Sequence, residues 1–200
     1  MTTRFPYTGP LNLRRTLGWL NVWGAAPWVR LDRDGGWVAQ RTPDGPGTVH
    51  LWQTEEAVLA EAFGPGADRL LARVPDLAGL HDDPEVLQPH HPVVADLQKR
   101  QRGVRVGRSL DVLPTLVSLV VAQKVTSRAS KAAVREMAWK WGEEAPGPRD
   151  DIRLLPPMEE LAQTPYYAFH PLNIERRRAD TIVRRSSLTC HLLVPGVRLK

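Results

Sequence analysis

Residues 116–135 read LVSLVVAQKVTSRASKAAVR. A charge-free apolar run meets Gln123, turns basic at Lys124 and continues as a stretch of small residues. The apolar positions Leu110, Leu113, Val117, Val120 and Val121 recur at helical spacing. This spacing predicts a helix over Ser109–Lys124, with Ser109 as its cap and Asp111 in its first turn. An unpaired amide on the most apolar face of a buried helix is costly. Gln123 is therefore expected at a pocket, a partner or a ligand, with a satisfied core glutamine at a helix turn as the plain alternative.

Outward from this stretch the chain divides in two, giving an α+β fold class. Trp28–Leu31 and Trp37–Arg41 read as strands around the Asp34-Gly35-Gly36 turn, and Thr48–Gln53 alternates in strand fashion after a turn cluster at Pro43–Gly47. Asn12–Leu20 and Ala67–Arg73 suit short helices. A small antiparallel sheet with two helices fits this order, and residues 1–75 form the expected first domain. From 76 to 200 the signal is helical, with Pro92–Gln101, Ser127–Trp141, Met158–Gln163 and Ile174–Arg184 beside the central segment. The chain contains no internal repeat and no low-complexity tract.

The 200 residues hold 27 Lys and Arg against 22 acids, a formal charge of +5, with a pI near 9.8. That balance permits a nucleic-acid partner without requiring one. The charge distribution is more informative. Residues 98–136 carry nine cations (Lys99, Arg100, Arg102, Arg105, Arg108, Lys124, Arg128, Lys131, Arg135) and two acids, Asp111 and Glu136. Arg176, Arg177, Arg178, Arg184 and Arg185 form a second cluster. A solvated basic face accounts equally well for charge of this kind. Cys190 is the only cysteine, which excludes an internal disulfide and any Cys-based zinc or iron–sulfur site. Adjacent His90 and His91 point apart on any regular element, and with His81 they form no metal-ligand spacing. No metal and no cofactor is expected. The longest apolar run, Leu113–Ala122, is too short to span a bilayer, so a cytoplasmic protein without a membrane partner is expected.

Four blocks flank the opening stretch: HDDPEVLQPHHPVV (81–94), RGVRVGRSLDVLPTLV (102–117), LLPPMEELAQTP (154–165) and ERRRADTIVR (175–184). Their order and spacing resemble the DNA glycosylases of the helix-hairpin-helix superfamily, in particular bacterial 3-methyladenine DNA glycosylase II of the actinobacterial type. The resemblance covers most of residues 5–184. It implies a TATA-binding-protein-like α/β domain followed by an all-α glycosylase domain, with double-stranded DNA carrying alkylated bases as partner. The absence of a cysteine set argues against the iron–sulfur branch.

The resemblance also implies site residues. Gln123 falls at the rim of the base pocket. Lys124 falls where the family places an apolar wedge that fills the gap left by a flipped base, which is a departure, since a lysine reaches phosphate but fills a stack poorly. Trp19 aligns with an aromatic of the base pocket, where its face suits a cationic methylated purine; a plain core tryptophan is the alternative. Arg128 and Lys131 are placed to reach DNA phosphates, again with a solvated face as the alternative. Asp82 and Asp83 match an acidic pair of turn chemistry, not a catalytic carboxylate.

The catalytic Asp and the hairpin that binds phosphate find no match within residues 1–200. Val194-Pro195-Gly196-Val197 resembles the hairpin, but Arg198 replaces its second glycine and the placement is too early, so the likeness reads as accidental. Residues 185–200 are accordingly expected to be an aberrant tail on an incomplete helical domain. Leu113, Leu116, Val117, Val120 and Val121 would then be partly uncovered. A non-catalytic DNA-binding remnant with a basic face is the alternative to an interrupted enzyme.

Overall fold

The computed structural model describes residues 1–21, 26–109 and 111–193. The chain forms two compact units. The first comprises Met1–Asn21, Val29–Leu110 and Pro146–Arg149, and the second comprises Val22–Trp28, Asp111–Ala145 and Asp150–Lys200. The main division thus falls after residue 110, later than the 75/76 boundary expected from the sequence.

The first unit contains strand β1 (Thr3–Pro6), helix α1 (Leu13–Gly18), strands β2 (Val29–Leu31), β3 (Gly35–Thr42), β4 (Gly45–Gln53) and β5 (Ala57–Phe63), and helices α2 (Ala67–Leu77) and α3 (Pro92–Arg100). The strands form one antiparallel sheet in the order β1-β5-β4-β3-β2. Each predicted strand is present, and β1 and β5 are additional. Gly35 and Gly36 lie in β3 rather than in the preceding turn, with Leu31 opposite Gly36. A Cβ on Gly35 would fall 2.0 Å from the Leu51 carbonyl oxygen, so only glycine lets β3 and β4 approach there. Strand alternation sends Val38, Val49, Leu51, Val58 and Ala60 inward, where they are buried together with Leu13 and Leu17 of α1 and Leu70, Val74 and Leu77 of α2. On the outer face Trp37, His50 and Trp52 stack in sequence, and Asp32 holds His50 Nε2 at 3.0 Å. Asn12 caps α1 by accepting from the Arg15 amide at 3.1 Å.

The second unit contains helices α4 (Val112–Val121) and α5 (Ser127–Lys140), a short hairpin of β6 (Glu143–Glu144) and β7 (Arg153–Leu154), helix α6 (Met158–Gln163), a 3-10 segment at Tyr166–Leu172 and helix α7 (Arg176–Leu193). Helix α4 is shorter than predicted at both ends. Pro114 accounts for the start. In a helix begun at Ser109 its ring would clash with the carbonyl of residue 110, whereas in a helix begun at Val112 it sits in the first turn, where no amide is needed. Asp111, not Ser109, is the N-cap residue, and its side chain makes no capping bond. Leu110 itself, like Val194–Val197, lies outside the described residues.

Two further expectations are corrected. Helix α7 runs from Arg176 to Leu193, past the Arg184 at which the sequence reading ends it. Nor is the face of α4 left open. Leu113, Val117, Val120 and Val121 are buried and Leu116 is half-buried, because α5 and α7 both pack against α4. Only Val112 and Leu119 remain exposed among its large apolar residues. Ala133, Val134, Met137, Leu161, Phe169, Leu172, Ile174, Ala179 and Ile182 are the other buried apolar side chains of this core. Among the described residues no helix is long and apolar enough to cross a membrane.

Candidate nucleic-acid interface

Helix α4 ends at Val121, two residues before Gln123. Ala122 donates its amide to Ser118 O at 3.0 Å and Gln123 donates to Val120 O at 3.2 Å, closing the last turn. Lys124 then takes a left-handed backbone conformation, φ 57°. Thr126 returns to extended geometry and caps α5 by accepting from the Ala129 amide at 3.3 Å. The sequence prediction of a helix continuing through Lys124 fails here because the chain must leave the helix to set that cap. Gln123 and Lys124 are consequently both exposed, on a turn rather than on a helix face.

A basic stripe leads away from this turn. Arg128, Lys131 and Arg135 follow one another at i, i+3 and i+7 on α5, which places them on one face. The opposite face buries Ser130, Ala133, Val134, Met137 and Ala138. Among the described residues neither Lys124 nor any of these three cations has an acidic partner. The stripe is thus a row of uncompensated charge beside an exposed amide, a form suited to an anionic strand.

The turn is fixed from beneath by a residue that sequence reasoning misplaced. Arg178 was counted with a surface cluster, yet it is only 6% exposed. Its Nη1 donates to Val121 O at 2.8 Å and its Nη2 to Asn173 O at 3.2 Å, while Glu175 lies 3.5 Å from Nε. The guanidinium meets the last carbonyl of α4, the negative end of that helix dipole. It joins the two turns of this unit that carry a left-handed non-glycine residue, Lys124 and Asn173. The only forewarning in the sequence was the run Arg176-Arg177-Arg178, which does not reveal which member faces inward.

Other sequence candidates have different places. Trp19 belongs to the first unit, at the C-terminal end of α1, and is 44% exposed, so it is not a core tryptophan. Arg105, counted with the basic face, is buried in the first unit, where its guanidinium donates to the carbonyls of Thr8 and Pro10. Asp83 accepts from the Glu85 amide at 3.0 Å, a local turn bond, whereas Asp82 accepts from the Val106 amide at 2.7 Å, a tie to a segment 24 residues further on. His91 caps α3 through Nδ1, 3.2 Å from the Val93 amide. No cluster of metal-ligating side chains occurs among the described residues.

No protein-family model and no curated protein sequence matches the chain. Solved structures do. The chain is similar to 3-methyladenine DNA-glycosylase from Archaeoglobus fulgidus, with a TM-score of 0.74 at 13% identity over 92% of this chain and 66% of that one. It is similar to MBOgg1 in complex with a low-affinity DNA ligand, with a TM-score of 0.68 at 18% identity over 98% of this chain and 65% of that one. It is also similar to Clostridium acetobutylicum 8-oxoguanine glycosylase/lyase bound to double-stranded DNA, with a TM-score of 0.55 at 13% identity over 83% of this chain and 66% of that one. The chain spans just under two thirds of the length of each. An α+β architecture with a five-stranded antiparallel sheet and a helical unit built on α4, α5 and α7 is thus the fold this chain shares with DNA glycosylases.

Proposed function

We propose that this chain is a base-excision DNA repair protein of the DNA glycosylase type, acting on double-stranded DNA with alkylated bases such as 3-methyladenine. The observation that carries this reading is the exposed Gln123–Lys124 turn at the end of α4, continued by the uncompensated stripe Arg128–Lys131–Arg135. In this reading the first unit is the TATA-binding-protein-like domain of the family. Gln123 stands at the rim of the base pocket, Lys124 occupies the gap position, and Arg128 and Lys131 hold phosphates. The location is the cytoplasm, on the nucleoid.

A glycosylase extrudes its target nucleotide and stabilises the positive charge that develops on the sugar as the glycosidic bond breaks. The carboxylate that does this in the resembled family has no counterpart among residues 1–200. Residues 1–200 by themselves are therefore expected to bind DNA without excising bases. A non-catalytic DNA-binding protein is the second reading, favoured by a basic stripe that needs no carboxylate to work.

Fluorescence anisotropy with a duplex, repeated over a salt series, tests the binding. Log affinity should fall linearly with log salt, and Arg128→Ala should make that slope shallower by about one. Binding that ignores salt, or none at low salt, removes both readings. Incubation with alkylated duplex DNA tests the chemistry. No free methylated base should be released, since loss of such an electrostatic stabiliser costs on the order of a hundredfold or more in rate. Robust release would assign the missing role to an acid within this chain.

A further inference from the structure

The 3-10 segment Tyr166–Leu172 is anchored firmly on one side and bare on the other. Phe169 and Leu172 are buried, and Phe169 meets Trp141 edge-on at 5.1 Å. Tyr166 and Tyr167 face outward, 37% and 64% exposed, with their rings 6.0 Å apart at 78°. The Arg176 guanidinium lies 4.5 Å over the Tyr166 ring, and His170 stands 5.6 Å from it. Arg176 also faces Asp180 at 3.7 Å, whereas Arg177 beside it in α7 is exposed and has no ion-pair partner among the described residues. Two outward aromatic rings on a fixed base, interleaved with cations, are the elements of a surface that stacks nucleic-acid bases and holds their phosphates.

The placement of this surface within the second unit gives it reach. Arg178 ties Asn173 O and Val121 O to one guanidinium, so the end of the 3-10 segment lies against the end of α4. Six residues at a 3-10 rise of ~2 Å put Tyr167 about 12 Å further on. The tyrosine pair therefore lies about 12 Å along the segment from the Asn173 carbonyl that Arg178 ties to the end of α4, a length of about three to four nucleotides at ~3.4 Å each. We propose that Tyr166 and Tyr167, flanked by His170 and Arg176, form a stacking platform for unpaired DNA bases. This rests on the reading that the turn and stripe at residues 123–135 face DNA. The platform captures bases that lose their partners when a duplex is opened at the turn, and it is indifferent to sequence because every base offers a π face.

Anisotropy titrations of the 200-residue protein with labelled dT12 and with a fully paired duplex decide the matter. Tyr166→Ala/Tyr167→Ala should weaken dT12 binding about tenfold with the salt slope unchanged, because stacking releases no counterions. Duplex binding should change less, and Tyr166→Phe/Tyr167→Phe should restore dT12 binding. Tyr167→Ala alone, at the more exposed position, gives the same test should the double variant unfold. Unchanged dT12 affinity in the alanine variants overturns the platform, whatever those variants do to contacts with other proteins. Wild-type protein that binds neither DNA at low salt overturns the DNA reading as well, so the two failures are distinguishable.

Discussion

Lys124 has the backbone conformation of a glycine. A left-handed residue with a Cβ is disfavoured by roughly 1–2 kcal/mol, and such outliers persist where the surroundings or a function impose them. Lys124→Gly relieves this strain, offset in part by the larger conformational entropy of glycine in the unfolded chain. The variant should be more stable by about 0.5–1 kcal/mol in thermal unfolding while binding duplex DNA more weakly, having lost one cation from the turn. A variant that is less stable would show that the lysine side chain packs into the turn rather than pointing at a partner. The residue scale also shows why charge counting misleads. Arg105 and Arg178 entered the sequence count on the same footing as Arg128, yet both are buried and bonded to carbonyls. A row of letters gives a side chain's charge but not its inward or outward direction. Arg128, Lys131 and Arg135 share one face because α5 is regular from Ser127 to Lys140.

Elements with strong local signals were legible. The turn at Pro43 and the alternation in β4 each fix geometry within a few residues, and Met158–Gln163 is a helix as read. Elements defined by distant partners were not. Strand β5 reads AVLAEAF, which lacks strict alternation, and it is a strand because β4 on one side and β1 on the other bond it. Helix α7 continues past Arg184, where the sequence reading ended it, and Leu110 misled the reading of α4 because Pro114 was given no weight. The junction of α4, α7 and the 3-10 segment depends on Arg178 in the same long-range way. Arg178→Met keeps much of the volume but leaves Val121 O and Asn173 O without their donor. A hydrogen bond to a charged donor contributes roughly 1.5–3 kcal/mol, so the loss should be about 2–4 kcal/mol. Chemical denaturation should show it. A methionine variant as stable as wild type would mean that the two carbonyls find other donors and that Arg178 is dispensable to the turn.

At the scale of the whole molecule the question is whether the second unit stands as a folded body. The sequence reading expected an incomplete domain with its central helix bare, and side chains left exposed each forfeit roughly 1.5–3 kcal/mol of burial. A handful of such losses would rival a domain's entire stability of about 5–15 kcal/mol. Helix α4 instead buries Leu113, Val117, Val120 and Val121 under α5 and α7, and the Gln123 backbone N–H donates to Val120 O. Exposed apolar surface remains elsewhere. Helix α3 buries none of its residues and presents Val93, Val94 and Leu97. That helix belongs to the first unit, so its exposure does not weaken the core around α4. Native-state hydrogen exchange separates the two pictures, because amides open with free energies that follow local burial and bonding. Amides of Val117–Val121 should be protected to within about tenfold of those at Val49–Leu51 in β4, a difference of ~1.4 kcal/mol. Exchange about a thousandfold faster in α4 than in β4 would mean that this core opens on its own in solution. The Gln123–Lys124 turn and the basic stripe would then need another body, protein or DNA, to hold them in place.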